Sequence, residues 1–256
     1  MTATPFFTIR PAQAHSGLIF LCDHASNDLP EGYGSLGLSP QLLATHIAYD
    51  IGAAQIVRAL AARFTAVAFL ARWSRLLIDL NRGEDDPTLV MQLSDGSIIP
   101  GNRAAGPGEI ARRIAAFHAP YHAAIAKEIA DVRKTGILPV LISIHSFTPV
   151  FKGQTRPWEF GILWDRDGRL AQPLIVRLSE AGFTTGDNEP YNGALENDTL
   201  NRHGTQQGLA HVLIEIRQDL IGAPEAAEAL AGRLALILAQ ALADMAAGAQ
   251  DQTTHN

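Results

Sequence analysis

Cysteine is almost absent: Cys22 is the only one in 256 residues. A lone cysteine excludes an intrachain disulfide and a cysteine-rich zinc site. No run of 18 apolar residues marks a membrane span. The opening MTATPFFTIRP lacks the basic-then-apolar pattern of a secretory signal. Basic clusters and RNA-binding motifs are missing too, and the formal net charge is -6. That balance gives no help to nonspecific nucleic-acid binding, but a small anionic ligand needs only one well-placed arginine. Neither GxGxxG nor GxxxxGK[ST] occurs, and GPGE at 106–109 is not a phosphate loop. The expectation is a cytoplasmic protein with no membrane or nucleic-acid partner.

What is present is a chain with 47 % hydrophobic residues, long enough to bury a large core without disulfides. No composition shift, repeat or low-complexity segment divides it, so 1–256 reads as one domain with a flexible tail from 248. SGLIFLCDH reads as a strand with a polar end. A helix is expected from Ser39, which can cap it, with Pro40 in its first turn, running on to about Phe64. TAVAFLARWSRLLIDLNRG predicts two strands, the second over Leu76–Leu80. Gly83–Glu109 is too rich in Asp, Pro and Gly for a helix and reads as a long ordered loop. Helical sequence follows on both sides of Pro120. ILPVLISIHSFTP, WEFGILWDRDG and LAHVLIEIRQDL predict later strands, with helices around Leu170–Ala181 and Ala223–Ala247. Strands alternating with helices favour a three-layer α/β/α architecture.

Chemistry-bearing residues gather where apolar runs end: Asp23, His24 and Asn27; Asp79, Asn81 and Arg82; His145; Glu215 and Arg217. Open α/β folds place such strand ends around one crevice. His24 and His145 can supply neutral nitrogens to zinc, with an oxygen ligand and water completing the shell. Glu215 can accept the water proton and return it to a leaving nitrogen. Arg82 or Arg217 can hold a substrate carboxylate with two parallel hydrogen bonds. The alternatives are a structural turn for His24, an ion pair between Arg217 and Glu215, and another between Arg82 and Asp79. Asp50, inside apolar sequence, reads either as a metal-site acid or as a solvent-facing helix residue. Asn27 is a metal or substrate contact or a simple Asx turn. Asp23 is a candidate to orient His24.

Other residues carry a weaker functional reading. His118 and His122, in HAPYH, have helical i,i+4 spacing, but Pro120 between them favours a packed helix joint over a metal pair. His46, His203 and His211 are secondary candidates, and His15 and His255 weaker still. Cys22 reads as buried structure before nucleophile. NEPYNG at 188–193 is a pair of turns or a substrate-facing loop.

Taken together, LCDHASNDLP, HIAYDIGA, SRLLIDLNRG, LISIHSFTP and LIEIRQDL resemble the N-formylglutamate amidohydrolase family, from about His15 to Leu220. That family is similar in architecture to zinc-dependent exopeptidases. The resemblance implies a central mixed sheet with helices on both faces. It also implies hydrolysis of the formamide of N-formylglutamate, or of a related small anionic N-acyl amino acid. Metal ligation falls on His24, His145 and Asp50, general-base catalysis on Glu215, and substrate-carboxylate contact on Asn81 and Arg82, with Arg217 and Asn27 as further substrate contacts. The expected cofactor is Zn2+ or another divalent metal. Related zinc exopeptidases often carry a carboxylate three residues after the first histidine; Asn27 stands there instead, a departure that leaves the third ligand open between weaker metal affinity and completion of the site by another acidic residue. Hydrolysis of short peptides or other N-acyl amino acids is the alternative reaction, and noncatalytic ligand binding the alternative class.

Overall fold

The computed structural model describes residues 4–12 and 16–254. Seven strands form the main sheet: β1 Phe6–Ile9, β2 Leu18–Cys22, β3 Val67–Ala71, β4 Val140–Phe147, β5 Phe160–Leu163, β6 Thr185–Asp187 and β7 His211–Arg217. Their spatial order is β1-β3-β2-β4-β7-β5-β6. β1 runs antiparallel to β3 and β5 antiparallel to β7, while the other neighbours are parallel, so the sheet is mixed.

The helices are α1 Pro40–Leu43, α2 Ala53–Arg63, α3 Pro107–Arg113, α4 Ala119–Lys134, α5 Ala171–Glu180, α6 Thr199–His203 and α7 Pro224–Thr254. Alternating residues of each central strand point to opposite faces. Phe20, Ile142, Ile144, Val212 and Ile214 pack under α2, α5 and α7. Ile19, Leu21, Leu141 and Leu213 meet Tyr121, Ile125 and Ile129 of α4. Both faces are therefore covered, which is why β2 is buried at every position and reads as an unbroken apolar run. The three-layer α/β/α architecture with a mixed sheet matches the expectation.

Several local readings are corrected. The helix expected from Ser39 to Phe64 is two helices. Ser39 does cap α1, accepting from the Leu42 amide at 3.3 Å, but the chain then turns and re-enters helix only after Gly52. Gly52 has φ 82°, and a Cβ there would strike the Ile221 carbonyl oxygen, so glycine is required by both backbone and space. Leu76–Leu80 is a buried irregular segment, not a strand. It has no ladder partner; instead Asn102 Nδ2 donates to the Leu76 carbonyl at 2.8 Å and Arg113 to the Leu77 carbonyl at 2.7 Å. Between α3 and α4 lies a π-helical turn, Ile114–His118, with Pro120 in the first turn of α4.

The last helix, α7, runs as far as Thr254, so it includes most of the segment expected as a tail; residues 255–256 lie outside the described residues. Pro224–Gly248 has the length and mean hydropathy, 1.4, of a membrane-crossing segment. Its inward positions Ala227, Ala231, Leu234, Leu238 and Ala241 are nonetheless buried in the core shared with α2 and α5.

Candidate active site and metal centre

The parallel strands β2, β4 and β7 end side by side, and residues near or just past those ends, among them His24, His145 and Glu215, line a cavity of about 400 Å³. His145 and Glu215 are direct partners across β4 and β7. Even-numbered neighbours such as Ile144 and Ile214 point into the opposite core, so these two side chains share the cavity face. Cys22 also points to the opposite core, and burial, followed by the charges of Asp50 and Asp23, pushes its thiol pKa well up. It is not an activated nucleophile.

His24 follows the end of β2. The break before α2 brings Asp50 beneath it, with the Asp50 amide donating to the His24 carbonyl at 2.9 Å. Oδ2 of Asp50 lies 3.3 Å from His24 Nδ1 and 2.8 Å from His145 Nδ1. The far nitrogen of each ring also meets a carboxylate. His24 Nε2 is 2.7 Å from Asp79 Oδ1; His145 Nε2 is 3.4 Å from Asp23 Oδ2 and 3.1 Å from Ser143 Oγ. Asp79 is itself gripped by Arg75 at 2.8 Å and the Asn81 amide at 2.9 Å, and Asp23 by Tyr121 Oη at 2.6 Å.

This geometry tests a cation directly. Once the Nε2–H groups donate to Asp79 and Asp23, the two Nδ1 lone pairs face one carboxylate oxygen. Only a cation or added protons at that point reconcile three acceptors. The ligand atoms of His24, Asp50 and His145 lie within 4.8 Å of one another, and all three residues are buried. Two imidazoles and a carboxylate, each imidazole oriented by an outer carboxylate, suit Zn2+ or a similar divalent ion. The electrostatics agree. Burial opposes ionisation of Asp50, but the charges and hydrogen bonds of His24 and His145 outweigh it and hold the carboxyl well below its usual range. Burial likewise opposes charge on His145, yet its bonds to Asp23 and Asp50 lift its pKa well above the ordinary value.

Glu215 sits in the same cavity with Oε2 buried and without a hydrogen-bond partner. Burial pushes its pKa up to about 7; attraction by His145 offsets part of that, and repulsion by Asp50 adds to it. Asn81 and Arg82 line another wall. Arg82 donates from Nε to Thr88 Oγ1 at 3.2 Å and from one terminal nitrogen to the Asn81 carbonyl at 2.7 Å. Those bonds use two of the five guanidinium donors.

The cavity therefore gathers His24, Asp50, His145, Glu215, Asn81 and Arg82, and leaves two expected contacts outside. Asn27 turns its amide to the Leu43 carbonyl at 2.8 Å, as a loop tie. Arg217, just past the strand end, pairs with Asp219 at 2.8 Å and reaches carbonyls of 156–158. Asp23 serves His145, not the adjacent His24. His46 pairs with Asp95 at 3.2 Å and His211 bonds the Leu209 carbonyl at 2.8 Å; neither lines the cavity. His15 and His255 lie outside the described residues.

Three further residues contribute: two from the NEPYNG segment, read from sequence as turns or a substrate-facing loop, and Asp198, which the sequence reading missed. Tyr191 and Asn192 of NEPYNG form a wall of the cavity. The Tyr191 hydroxyl oxygen accepts from Arg156 at 3.0 Å, leaving its own O–H to donate. Asp198 caps α6 by accepting from the Asn201 amide at 2.7 Å, lines the cavity, and is raised by burial to about 6. The N-cap pattern Asp-Thr-Leu-Asn was the available signal for it.

Comparison with known proteins settles the family. Residues 16–222 match N-formylglutamate amidohydrolase. The chain belongs to the N-formylglutamate amidohydrolase family. The crystal structure of a gene product from Agrobacterium tumefaciens is similar over 95% of this chain and 96% of that one, at 35% identity and TM-score 0.90. N-formylglutamate amidohydrolase from Ralstonia eutropha shares the fold over 92% of this chain and 96% of its own, at 22% identity and TM-score 0.75. No curated protein gives a significant match. Family membership and the buried His24–Asp50–His145 cluster together make this chain a metal-dependent amidohydrolase of N-acyl amino acids.

Proposed function

We propose that the protein hydrolyses N-formylglutamate to formate and glutamate, with Glu215 as the proton-transfer group and Asn81 and Arg82 as the carboxylate contacts. The observation that carries this reading is the Glu215 carboxyl. It is buried beside the His–Asp–His cluster, poised near neutrality, and has an oxygen with no protein partner. A structural carboxylate at that depth would be paired.

A divalent ion held by His24, Asp50 and His145 supplies a Lewis acid for the acyl oxygen and makes water more acidic. Glu215 accepts the proton of the attacking water at Oε2. A new C–O bond forms at the formyl carbon as the carbonyl electrons move to oxygen. Tyr191, whose oxygen is polarised by Arg156, offers its O–H at the cavity wall. When the carbonyl re-forms and the C–N bond breaks, Glu215 gives its proton to the departing nitrogen. Asp79 and Asp23 accept from the Nε2–H groups and so fix the direction of the two imidazoles, with each Nδ1 turned to the cluster. Arg82, with donors still free, holds a substrate carboxylate in the cavity that Tyr191 also lines.

The test is metal analysis coupled to a substrate panel of N-formylglutamate, N-acetylglutamate and short dipeptides, read by release of free amine. N-formylglutamate is expected to have the highest kcat/KM. Preference for a dipeptide or another acyl group reassigns the substrate. No amine from any member, in metal-loaded protein, makes the chain a binding module and overturns the reading.

A further inference from the structure

The reaction above does not use HAPYH at 118–122, although both of its histidines are buried. The π-helical turn Ile114–His118 and the first turns of α4 direct them at the segment 79–82. His118 Nε2 lies 2.9 Å from the Arg82 carbonyl oxygen, and His122 Nε2 lies 3.0 Å from the Leu80 carbonyl oxygen. A carbonyl only accepts, so both Nε2 atoms carry the proton. His122 Nδ1 is then a lone pair, and it accepts from His203 Nε2 at 3.0 Å. The hydrogen bonds thus fix every tautomer. The rings follow one another in file: His118 is tilted by 52° against His122 with centroids 4.3 Å apart, and His122 is stacked on His203 at 5.2 Å.

We propose that His118 and His122 are positioning residues for substrate: they clamp the peptide planes on either side of Asn81 and Arg82 and so aim both side chains at the substrate carboxylate. The Leu80 carbonyl belongs to the peptide that leads into Asn81, and the Arg82 carbonyl to the peptide that leaves Arg82. α6 completes the clamp, with Thr199 Oγ1 donating to the Leu80 carbonyl at 3.1 Å and the Thr199 amide to Asn81 Oδ1 at 3.2 Å. Asp79, one residue before Leu80, shares the clamped peptide through the Asn81 amide at 2.9 Å but has further anchors: its amide donates to the Leu89 carbonyl at 2.8 Å and its carboxylate meets His24 and Arg75. Loss of the clamp therefore acts first on substrate capture, while Arg75 and the Leu89 carbonyl still hold Asp79 against His24. A π-helical turn is an irregularity that recurs at functional sites, and here it delivers His118.

The inference rests on the reading of Asn81 and Arg82 as carboxylate contacts, and the experiment separates the two. His118→Phe and His122→Phe remove the donors and keep a ring; His118→Gln and His122→Gln keep an N–H near the position of Nε2. Arg82→Gln serves as the reference. Each Phe variant is expected to raise KM on the order of tenfold or more, with kcat and metal content little changed, and each Gln variant to recover most of that loss. Wild-type KM in both Phe variants, with a raised KM in Arg82→Gln, overturns the clamp alone. Wild-type KM in Arg82→Gln as well overturns the carboxylate reading and the clamp's purpose with it. Should the Phe variants fail to fold, imidazole ¹⁵N shifts of the wild-type protein decide. Neutral Nε2–H forms of His118 and His122 at pH 6 support the clamp; a protonated ring or an Nδ1–H form at either residue overturns it.

Discussion

Two buried groups of histidines lie on the same side of the sheet, and they are electrostatic opposites. His24 and His145 are ringed by Asp23, Asp50 and Asp79, and the resulting field favours positive charge: His145 is lifted well above its ordinary pKa. His118, His122 and His203 face carbonyls and one another, and Glu84 comes no closer than 3.9 Å to His118. Burial drives His122 down to about 2 and His203 to about 4, helped in each case by positive neighbours. One cluster calls for a cation and the other refuses even a proton. Burial is common to both, so the partner at the far ring nitrogen decides what a buried imidazole does.

The comparison breaks most completely at Asp50, the carboxylate within the ligand set. Asp50→Ala is expected to take bound metal from one ion per chain to none and amine release to background, measured by elemental analysis and assay. Glu215→Gln comes next. It leaves the ligands intact, so metal content is expected to stay at wild type while kcat falls about 10²- to 10⁴-fold, the usual worth of a proton-transfer group. Asp79→Asn makes His24 resemble the neutral cluster. Metal affinity is expected to weaken about 10- to 100-fold in chelator competition, with the fold preserved.

The smallest effect sharpens the comparison from the other side. His122 is neutral when folded and protonates near pH 6.5 when unfolded, so the unfolded state binds the extra proton below that pH. Its contribution to stability is present above pH 6.5 and is lost as pH falls towards about 2. The stability of wild type relative to His122→Gln is therefore expected to drop by about 1.4 kcal/mol for each pH unit below 6.5, in chemical denaturation. An unchanged difference between pH 7 and 5 would mean that His122 is not held neutral.

Sequence disclosed the floor of the site better than its joints. His24, His145 and Glu215 each lie at the end of an apolar run, a pattern that allows them to share one crevice; the parallel adjacency of β2, β4 and β7 is what brings them together. Asp50 was suspected, but the helical periodicity around it hid the break that turns its carboxylate inward. Leu76–Leu80 is apolar enough for a strand; side chains of Asn102 and Arg113, remote in sequence, take the place of a ladder partner. Arg217 carries the right charge beside Glu215, yet Asp219 in the following turn captures it. Asp23 shows why adjacency misleads: successive residues diverge at a strand end, so it serves the imidazole of the next strand. The imidazole file of His118, His122 and His203 needed three segments to be brought together, which no local motif records.

Gly52 joins the metal cluster to the opposite side of the molecule. Its bare Cα rests against the backbone at Ile221, immediately before the long final helix, and two residues upstream stands the carboxylate that both imidazoles share. The seat of that helix is thus mechanically linked to the third ligand through a contact with no side chain to yield. Changes made far behind the sheet, at the root of the last helix, should be felt as altered grip on the ion, and metal occupancy becomes a gauge of how well the back of the protein is assembled.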